Sequence, residues 1–273
     1  MHTSTHADVQ APVSYIERGG RKPFAYEYDP PAGTPRRSAA YREHLVRIRN
    51  ARNLHAAPAL DRQGFALREH PTQVGDFYDP AEVTGVYYAE IEQLVKEATG
   101  ASRVMVFDHT VRGNSTSTRS GTQIEEPVSR VHNDYTAESA VRRARATVRA
   151  RDAEQLLQHR IAEVNVWRPI RGPLQTRPLA LLDATTLRPD DLVACDLIYR
   201  DRLGEIYYIA HHPRHEWYYY PHMRREEVLL LKGFDSDPSR TRFGPHASFS
   251  HPDTPTDALP RESIEVRTFA FFA

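Results

Sequence analysis

The sequence predicts a mainly β protein, with helices packed outside a jelly-roll barrel. Three observations carry this. From Ala162 to the end, apolar runs are short, often alternate with polar residues, and are broken by Pro, Gly and Asp, which is the pattern of an antiparallel sandwich or barrel. Long helical periodicity is confined to the stretch before that point, apart from a weaker trace around Arg224–Leu231. A length of 273 residues is ordinary for a single β barrel.

Residues 1–40 carry scattered Pro, Gly and charge, including PPAGTPRR at 30–37, and read as an extended arm over the main domain. Tyr41–Ala51 has helical spacing at Leu45, Ile48 and Ala51. Residues 1–79 are therefore expected to form an arm and a helix packing on the core, with 80–273 as the β domain and the whole as one structural unit. Pro80–Thr99 is the firmest helix: Val83, Val86, Tyr87, Ile91 and Val95 recur at three and four residues, and Gly100 is placed to stop it. RVMVF at 103–107 reads as a buried strand ending at Asp108-His109-Thr110. The Ser/Thr-rich segment 112–122, RGNSTSTRSGT, reads as a solvated hairpin loop, with a lid over a site as the functional alternative.

Ala137–Arg160 is the next predicted helix, with Ala140, Ala144, Val148, Leu156 and Leu157 on its apolar stripe. Its arginines, Arg142, Arg143, Arg145, Arg149 and Arg151, read as a solvated face partly neutralised by Glu138, Asp152 and Glu154 rather than as a nucleic-acid patch. The predicted strands that follow are AEVNVW (162–167), PLALLDA (178–184), DLVACDLIY (191–199), GEIYYIA (204–210), HEWYYYP (215–221), EEVLLLKGF (226–234) and SIEVRTFAFF (263–272).

Lys+Arg and Asp+Glu both count 36, so the chain lacks the basic excess that drives counterion release on nucleic acid, and a small-molecule substrate is the expectation. No stretch approaches the roughly 20 consecutive apolar residues of a membrane span, and MHTSTHADVQ lacks the apolar core of a signal peptide. Cys195 is the only cysteine, which excludes an intrachain disulfide and suits a small buried hydrophobe. The expectation is a cytoplasmic monomer or homodimer, without a membrane or nucleic-acid partner.

The chemistry centres on PVSRVHNDYTA (127–137). His132 and Asp134 are separated by one residue, and in an extended strand residues i and i+2 project from the same face. A third ligand from the β half would complete the 2-His-1-carboxylate arrangement that suits non-haem Fe(II) and leaves coordination positions open. His246, in FGPHASF, lies on a late strand, and fifteen residues on come Arg261 and Ser263. These share a face by the same rule, and a guanidinium fork binds a carboxylate through two parallel hydrogen bonds. The cargo would be the far carboxylate of a dicarboxylate that chelates the metal with its other end. The cluster His211, His212, His215 and His222 is the rival for a metal, as zinc, but no Cys or HExxH helix accompanies it. Asp108 and His109 in FDHT could reach the site from a strand end or make a structural hydrogen bond.

The order H-x-D, distant His, R-x-S resembles the Fe(II)- and 2-oxoglutarate-dependent oxygenases of the double-stranded β-helix fold. VHNDYT (131–136), NVWRPI (165–170), HEWYYYPHM (215–223), EEVLLLKGFDS (226–236), PHASF (245–249) and PRESIEVR (260–267) are similar, in this order, to blocks of the branch containing the cephamycin 7-alpha-hydroxylase component and fungal hydroxylase/desaturase and endoperoxide-forming enzymes. Ala247-Ser248 departs from the threonine usual in the late histidine block. The resemblance implies that His132, Asp134 and His246 bind Fe(II), with His251 as the alternative third ligand. It implies that Arg261 and Ser263 hold the C5 carboxylate of 2-oxoglutarate, with Arg267 as the rival, that Asn165 and Tyr135 lie near the co-substrate, and that His109, Arg168 and Trp217 face the substrate pocket. Asn165 and Trp167 share one side of a regular strand and Arg168 the other, so one strand cannot deliver all three. The implied reaction uses O2 to hydroxylate, desaturate or oxidatively cyclise a small molecule of secondary metabolism. The alternatives are a cupin-type binding module or non-redox metalloenzyme, and, disfavoured by the neutral charge, a nucleic-acid demethylase.

Overall fold

The computed structural model of the chain describes residues 7–113 and 127–272. Fourteen strands are present among them: β1 (Val9–Ile16), β2 (Phe24–Tyr26), β3 (Tyr41–Asn50), β4 (Phe65–Glu69), β5 (Arg103–Arg112), β6 (His132–Asn133), β7 (Ile161–Pro169), β8 (Leu179–Leu182), β9 (Leu192–Ile198), β10 (Leu203–Ile209), β11 (Trp217–Tyr219), β12 (Glu227–Asp235), β13 (His246–Ser248) and β14 (Ser263–Phe271). Helical segments are α1 (Pro80–Glu82), a π turn (Val83–Tyr87), α2 (Tyr88–Thr99), α3 (Ala137–Thr147) and α4 (Ala150–Leu157).

The strands form a nine-stranded sheet ordered β1-β3-β11-β8-β13-β6-β10-β9-β2 and a five-stranded sheet ordered β4-β12-β7-β14-β5. Successive strands shuttle between them: β5, β7, β12 and β14 lie in the smaller sheet, and β6, β8 and β13, which follow β5, β7 and β12, lie in the larger. This winding makes a double-stranded β-helix. Every residue of β7 and β12 is buried, because the smaller sheet is covered on both faces. Outside it, Tyr87, Ile91 and Val95 pack over Val164, Val166, Leu230 and Val266. Inside, Trp167, Leu229 and Leu231 meet Leu179, Leu181 and Tyr218 of the larger sheet.

Local sequence sets the helix ends. Asp79 accepts from the Ala81 amide with Pro80 at the first helical position, and Gly100 closes α2 at φ 72°. Thr136 and Ser139 form a capping box at the start of α3. On the buried side of β12, Lys232 Nζ bonds Asp61 and Asp235, both at 2.7 Å, and Asp235 also receives a two-pronged contact from Arg160.

Several elements differ from the expectation. The stretch at 41–51 is the strand β3 followed by a single 3-10 turn; Leu45 is 69% exposed while Ile48 is fully buried, so the period is two and the pairing with β1 outweighs the helical spacing. The supposed arm contributes β1, whose Val9, Ala11, Val13 and Tyr15 are buried in the core of the larger sheet. Strand β5 continues through Asp108-His109-Thr110 to Arg112, held by β14 along that length. The 137–160 helix is broken at Val148, whose backbone is extended and whose side chain is buried beside Ala144. No helix forms at Arg224–Leu231, because Glu227–Leu231 pair with β4. Of the loop at 112–122, residues 114–122 lie outside the described residues.

Candidate active site

β6 is short, and its pairing places the chemistry. His132 lies opposite His246 of β13 on one side and opposite Tyr208 of β10 on the other. The His132 and His246 rings are 4.7 Å apart, and one ligand atom from each of His132, Asp134 and His246 falls within 4.8 Å of the others. Among the described residues this is the one group of three or more such side chains close enough to hold a metal ion.

Both imidazoles are oriented by the backbone. His132 Nδ1 donates to the Arg130 carbonyl at 2.7 Å, and His246 Nδ1 to the Gly244 carbonyl at 3.3 Å. A carbonyl can only accept, so each Nδ1 carries a proton and Nε2 is the nitrogen left to serve a metal. His132 Nε2 lies 3.4 Å from Asp134 Oδ1. Asp134 Oδ2 is occupied, receiving Asn165 Nδ2 at 2.7 Å and Arg267 Nε at 3.3 Å. Burial would raise the Asp134 pKa, but His132 and Arg267 hold it well below the usual carboxylate range, so the group is ionised. Burial, with His132 adding to it, pushes His246 down and keeps that imidazole neutral. Two imidazoles and one carboxylate on one side of a point fit a divalent first-row metal.

Arg267 is also bonded to Glu265, at 2.7 Å, and to Asp108 and Thr110. Arg261 has different company. It is 4% exposed, donates to Ser263 Oγ at 3.1 Å and to the Arg177 carbonyl at 2.8 Å, and lies over the Trp167 ring. Burial, then the positive charges of Arg112 and Arg177, push its pKa down to about 9 against the opposing pull of Glu265. An arginine does not give up its proton in practice, so this environment calls for an anion. Trp167 Nε1 and Asn165 Oδ1 are buried without hydrogen-bond partners, on the side of β7 that joins Arg261 to Asp134. Unmet polar atoms in that position fit a polar ligand spanning the two.

A cavity of about 900 Å³ opens in front of His132 and Asp134, lined also by Asp108, His109, Tyr135, Tyr208 and Arg267. Tyr135 reaches it because β6 ends at Asn133, so strand alternation no longer applies. His109 is held at 2.7 Å from the Tyr88 hydroxyl.

Three expected residues lie elsewhere. Arg168 is fully buried, on the outer side of β7, bonded to Tyr87 Oη and the His70 carbonyl. Trp217 is buried in the larger sheet's core with its Nε1 on Tyr15 Oη. His251 packs against Tyr219 and Phe249, away from the triad. Of the rival histidine cluster, His215 is held by Asp191 and Tyr15, while His211 stacks on His44. Sequence reasoning passed over Arg130, Glu163 and Asn133. Asn133, between the two ligand candidates, and Arg130, two residues before His132, had a local signal; Asn133 ties β6 to the Gly233 carbonyl at 2.7 Å.

A double-stranded β-helix that brings two histidines and one carboxylate together behind a cavity has the framework of a mononuclear non-haem metalloenzyme. Comparison with known proteins agrees. The family model described as "Oxidoreductase/YMDC permease-like domain" matches residues 13–271; none of the described helices is long and apolar enough to cross a membrane. The chain is 32% identical over 263 residues to the Fe(II)/2-oxoglutarate-dependent dioxygenase nvfI of Aspergillus novofumigatus, covering 93% of each. It is 33% identical over 254 residues to the hydroxylase/desaturase CTB9 of Cercospora beticola, covering 85% of this chain and 78% of that one. The solved structure of the iron and alpha-ketoglutarate-dependent endoperoxidase NvfI superposes with a TM-score of 0.88 at 28% identity, covering 98% of this chain and 99% of that chain. The chain belongs to the Fe(II)/2-oxoglutarate-dependent dioxygenases, among fungal relatives that include hydroxylase/desaturases. Its cofactors are Fe(II), 2-oxoglutarate and O2, and its substrate is a small molecule.

Proposed function

We propose that His132, Asp134 and His246 are the iron ligands, and that Arg261 with Ser263 holds the C5 carboxylate of 2-oxoglutarate, in an oxygenase that oxidises a C–H bond of a small secondary metabolite. Bound iron and 2-oxoglutarate supply the oxidising power, with the co-substrate decarboxylated to succinate. The observation that carries the ligand assignment is the inward convergence of three donor atoms within 4.8 Å, both imidazoles tied off at Nδ1. Arg261 is favoured over Arg267 because Arg267 is already held by Asp134 and Glu265. Asn165 orients Asp134, leaving Oδ1 for the metal, and Trp167 floors the slot in which Arg261 waits for its anion. Tyr135 and His109 form cavity walls that exclude water from the reacting bond. The proposed setting is the cytoplasm, as a monomer or homodimer free of nucleic acid and membrane; the lone, buried Cys195 is compatible with a reducing compartment.

Anaerobic protein given Fe(II) and 2-oxoglutarate should develop the weak visible charge-transfer band of this chelate, and His132→Ala or Asp134→Ala should abolish it. A band that survives both changes would remove the assignment. A cupin-type binding protein would release no succinate with any substrate.

A further inference from the structure

The cavity in front of the triad is strongly biased in charge, although the chain as a whole has a formal charge of zero. Among the described residues, seven arginines line it against four carboxylates, a surplus of three positive charges. Bound Fe(II) and the 2-oxoglutarate dianion cancel one another, so loading the site leaves the surplus in place. The carboxylates are largely committed: Asp108 and Asp134 to Arg267, and Glu205 to Lys22 and Thr136, while Glu27 is exposed. Arg37, Arg130, Arg142, Arg143 and Arg202 line the cavity, and among the described residues none makes an ion pair with a carboxylate.

Two of these are special. Arg130 and Arg37 each bury Nε with no hydrogen-bond partner. A buried guanidinium nitrogen left unbonded is costly unless something polar arrives to meet it. Arg130 is also tied to the triad: its carbonyl orients His132, and its guanidinium lies over the Tyr41 ring, 5.5 Å from the centroid. Tyr41 packs edge-on against Tyr208, the residue opposite His132 across the β6–β10 pair. Residues two apart in extended chain are about 7 Å apart and share a face. An anion on Arg130 would therefore sit in the same cavity that His132 and Asp134 face.

We propose that the substrate is a carboxylate-bearing small molecule, that Arg130 is its anchor and Arg37 its second contact, and that this anchor selects acids over their neutral esters. The proposal rests on the oxygenase reading of the same cavity. Arg142, Arg143 and Arg202 on the outer walls draw the acid in, and a bidentate guanidinium contact fixes its orientation against the oxidising centre. Selection by charge is a different task from holding 2-oxoglutarate, which falls to Arg261 beyond Ser263.

The test uses full-length protein loaded anaerobically with Fe(II) and 2-oxoglutarate. The probes are a library of natural-product-like carboxylic acids, each paired with its own methyl ester. Binding is read as a perturbation of the charge-transfer band and titrated by calorimetry. Acids should bind at least about tenfold tighter than their esters, as expected for a charge-assisted contact, and added salt should weaken the acids alone. Arg130→Gln should remove the preference, and Arg130→Lys should restore part of it; the backbone carbonyl that orients His132 is present in both. Hits spread evenly over acids and esters, hits among esters alone, or no acid registering would each overturn the proposal. So would an acid preference that Arg130→Gln leaves intact. The band in the absence of any probe reports on iron and 2-oxoglutarate alone, so its presence separates failure of this inference from failure of the oxygenase reading.

Discussion

Asn165 of β7 and Asp134, in the bend just after β6, meet through a 2.7 Å hydrogen bond to Oδ2, the oxygen that Arg267 also contacts. The pair fixes which carboxylate oxygen faces the histidines. Asn165→Ala should therefore weaken Fe(II) or Mn(II) binding by roughly 10–100-fold, the range typical of lost outer contacts to metal ligands. Metal titration by calorimetry measures this, and unchanged affinity would show that Arg267 orients Asp134 alone.

The two arginines of the PRESIEVR segment should separate cleanly. Arg261→Ala is expected to weaken 2-oxoglutarate binding by roughly 2–5 kcal/mol with metal affinity retained, because it removes one side of a buried charge pair. Arg267→Ala is expected to lower metal affinity first, through Asp134. Titration of 2-oxoglutarate into Mn(II)-loaded variants, with the metal titrated separately, distinguishes the two.

Lys232 is fully buried and its ammonium is shared between Asp235, also fully buried, and Asp61. Burial would raise the Asp235 pKa, but the Arg160 and Lys232 contacts pull it below its ordinary 3.8. A depressed carboxylate contributes stability that is present above its unfolded pKa and is lost as pH falls through the folded value, so this network should fail only in acid below about pH 4. Asp235→Asn should reduce the unfolding free energy by about 1–3 kcal/mol at neutral pH, measured by urea denaturation, since it weakens the charge-assisted contacts of Lys232 and Arg160 and leaves Asp61 as their remaining carboxylate.

Glu163 is the converse case. It is fully buried on β7, neither carboxyl oxygen has a hydrogen-bond partner, and burial, followed by the charge of Asp134, raises its pKa well above 4.5. A group raised in the folded state contributes fully below its unfolded pKa and is lost as pH rises through the folded value. Glu163→Gln should thus make the metal-free protein more stable at pH 8 than the parent, with little difference at pH 4. Thermal unfolding across that range checks it, and parallel profiles would mean that Glu163 is not destabilising when ionised. Gly233 makes room for this side chain, since a Cβ there would overlap Glu163 Oε2. Gly233→Ala should be destabilising for that reason.

The β-helix and most of the triad's surroundings were legible because the information is local. The strands of the second half are short runs bounded by turn residues, and their period does not depend on distant partners. The two-residue spacing of His132 and Asp134 pointed to the pair, although Asp134 lies in the bend just after β6 and is aimed by Asn165 and Arg267. What was not legible depends on partners far along the chain. β3 reads equally as a helix until β1 pairs with it, and Leu45 points to solvent in consequence. Arg168 belongs to the conspicuous NVWRPI block, yet alternation turns it outward to Tyr87 and His70. Arg267 acquires its place from Asp134, 133 positions earlier, a proximity no periodicity records.

The opening strand has one more contact. Besides its ladder with β3, β1 bridges the far side of the curled sheet, where the Ser14 carbonyl receives the amide of Val131, the residue before His132. The imidazole is thus moored from behind by a segment more than a hundred positions upstream. A duplicated gene drifting towards a new substrate could rework Arg130, Arg142 or Arg202 one codon at a time, whereas changes that break up β1 would loosen the mooring of His132 before any new chemistry could be selected.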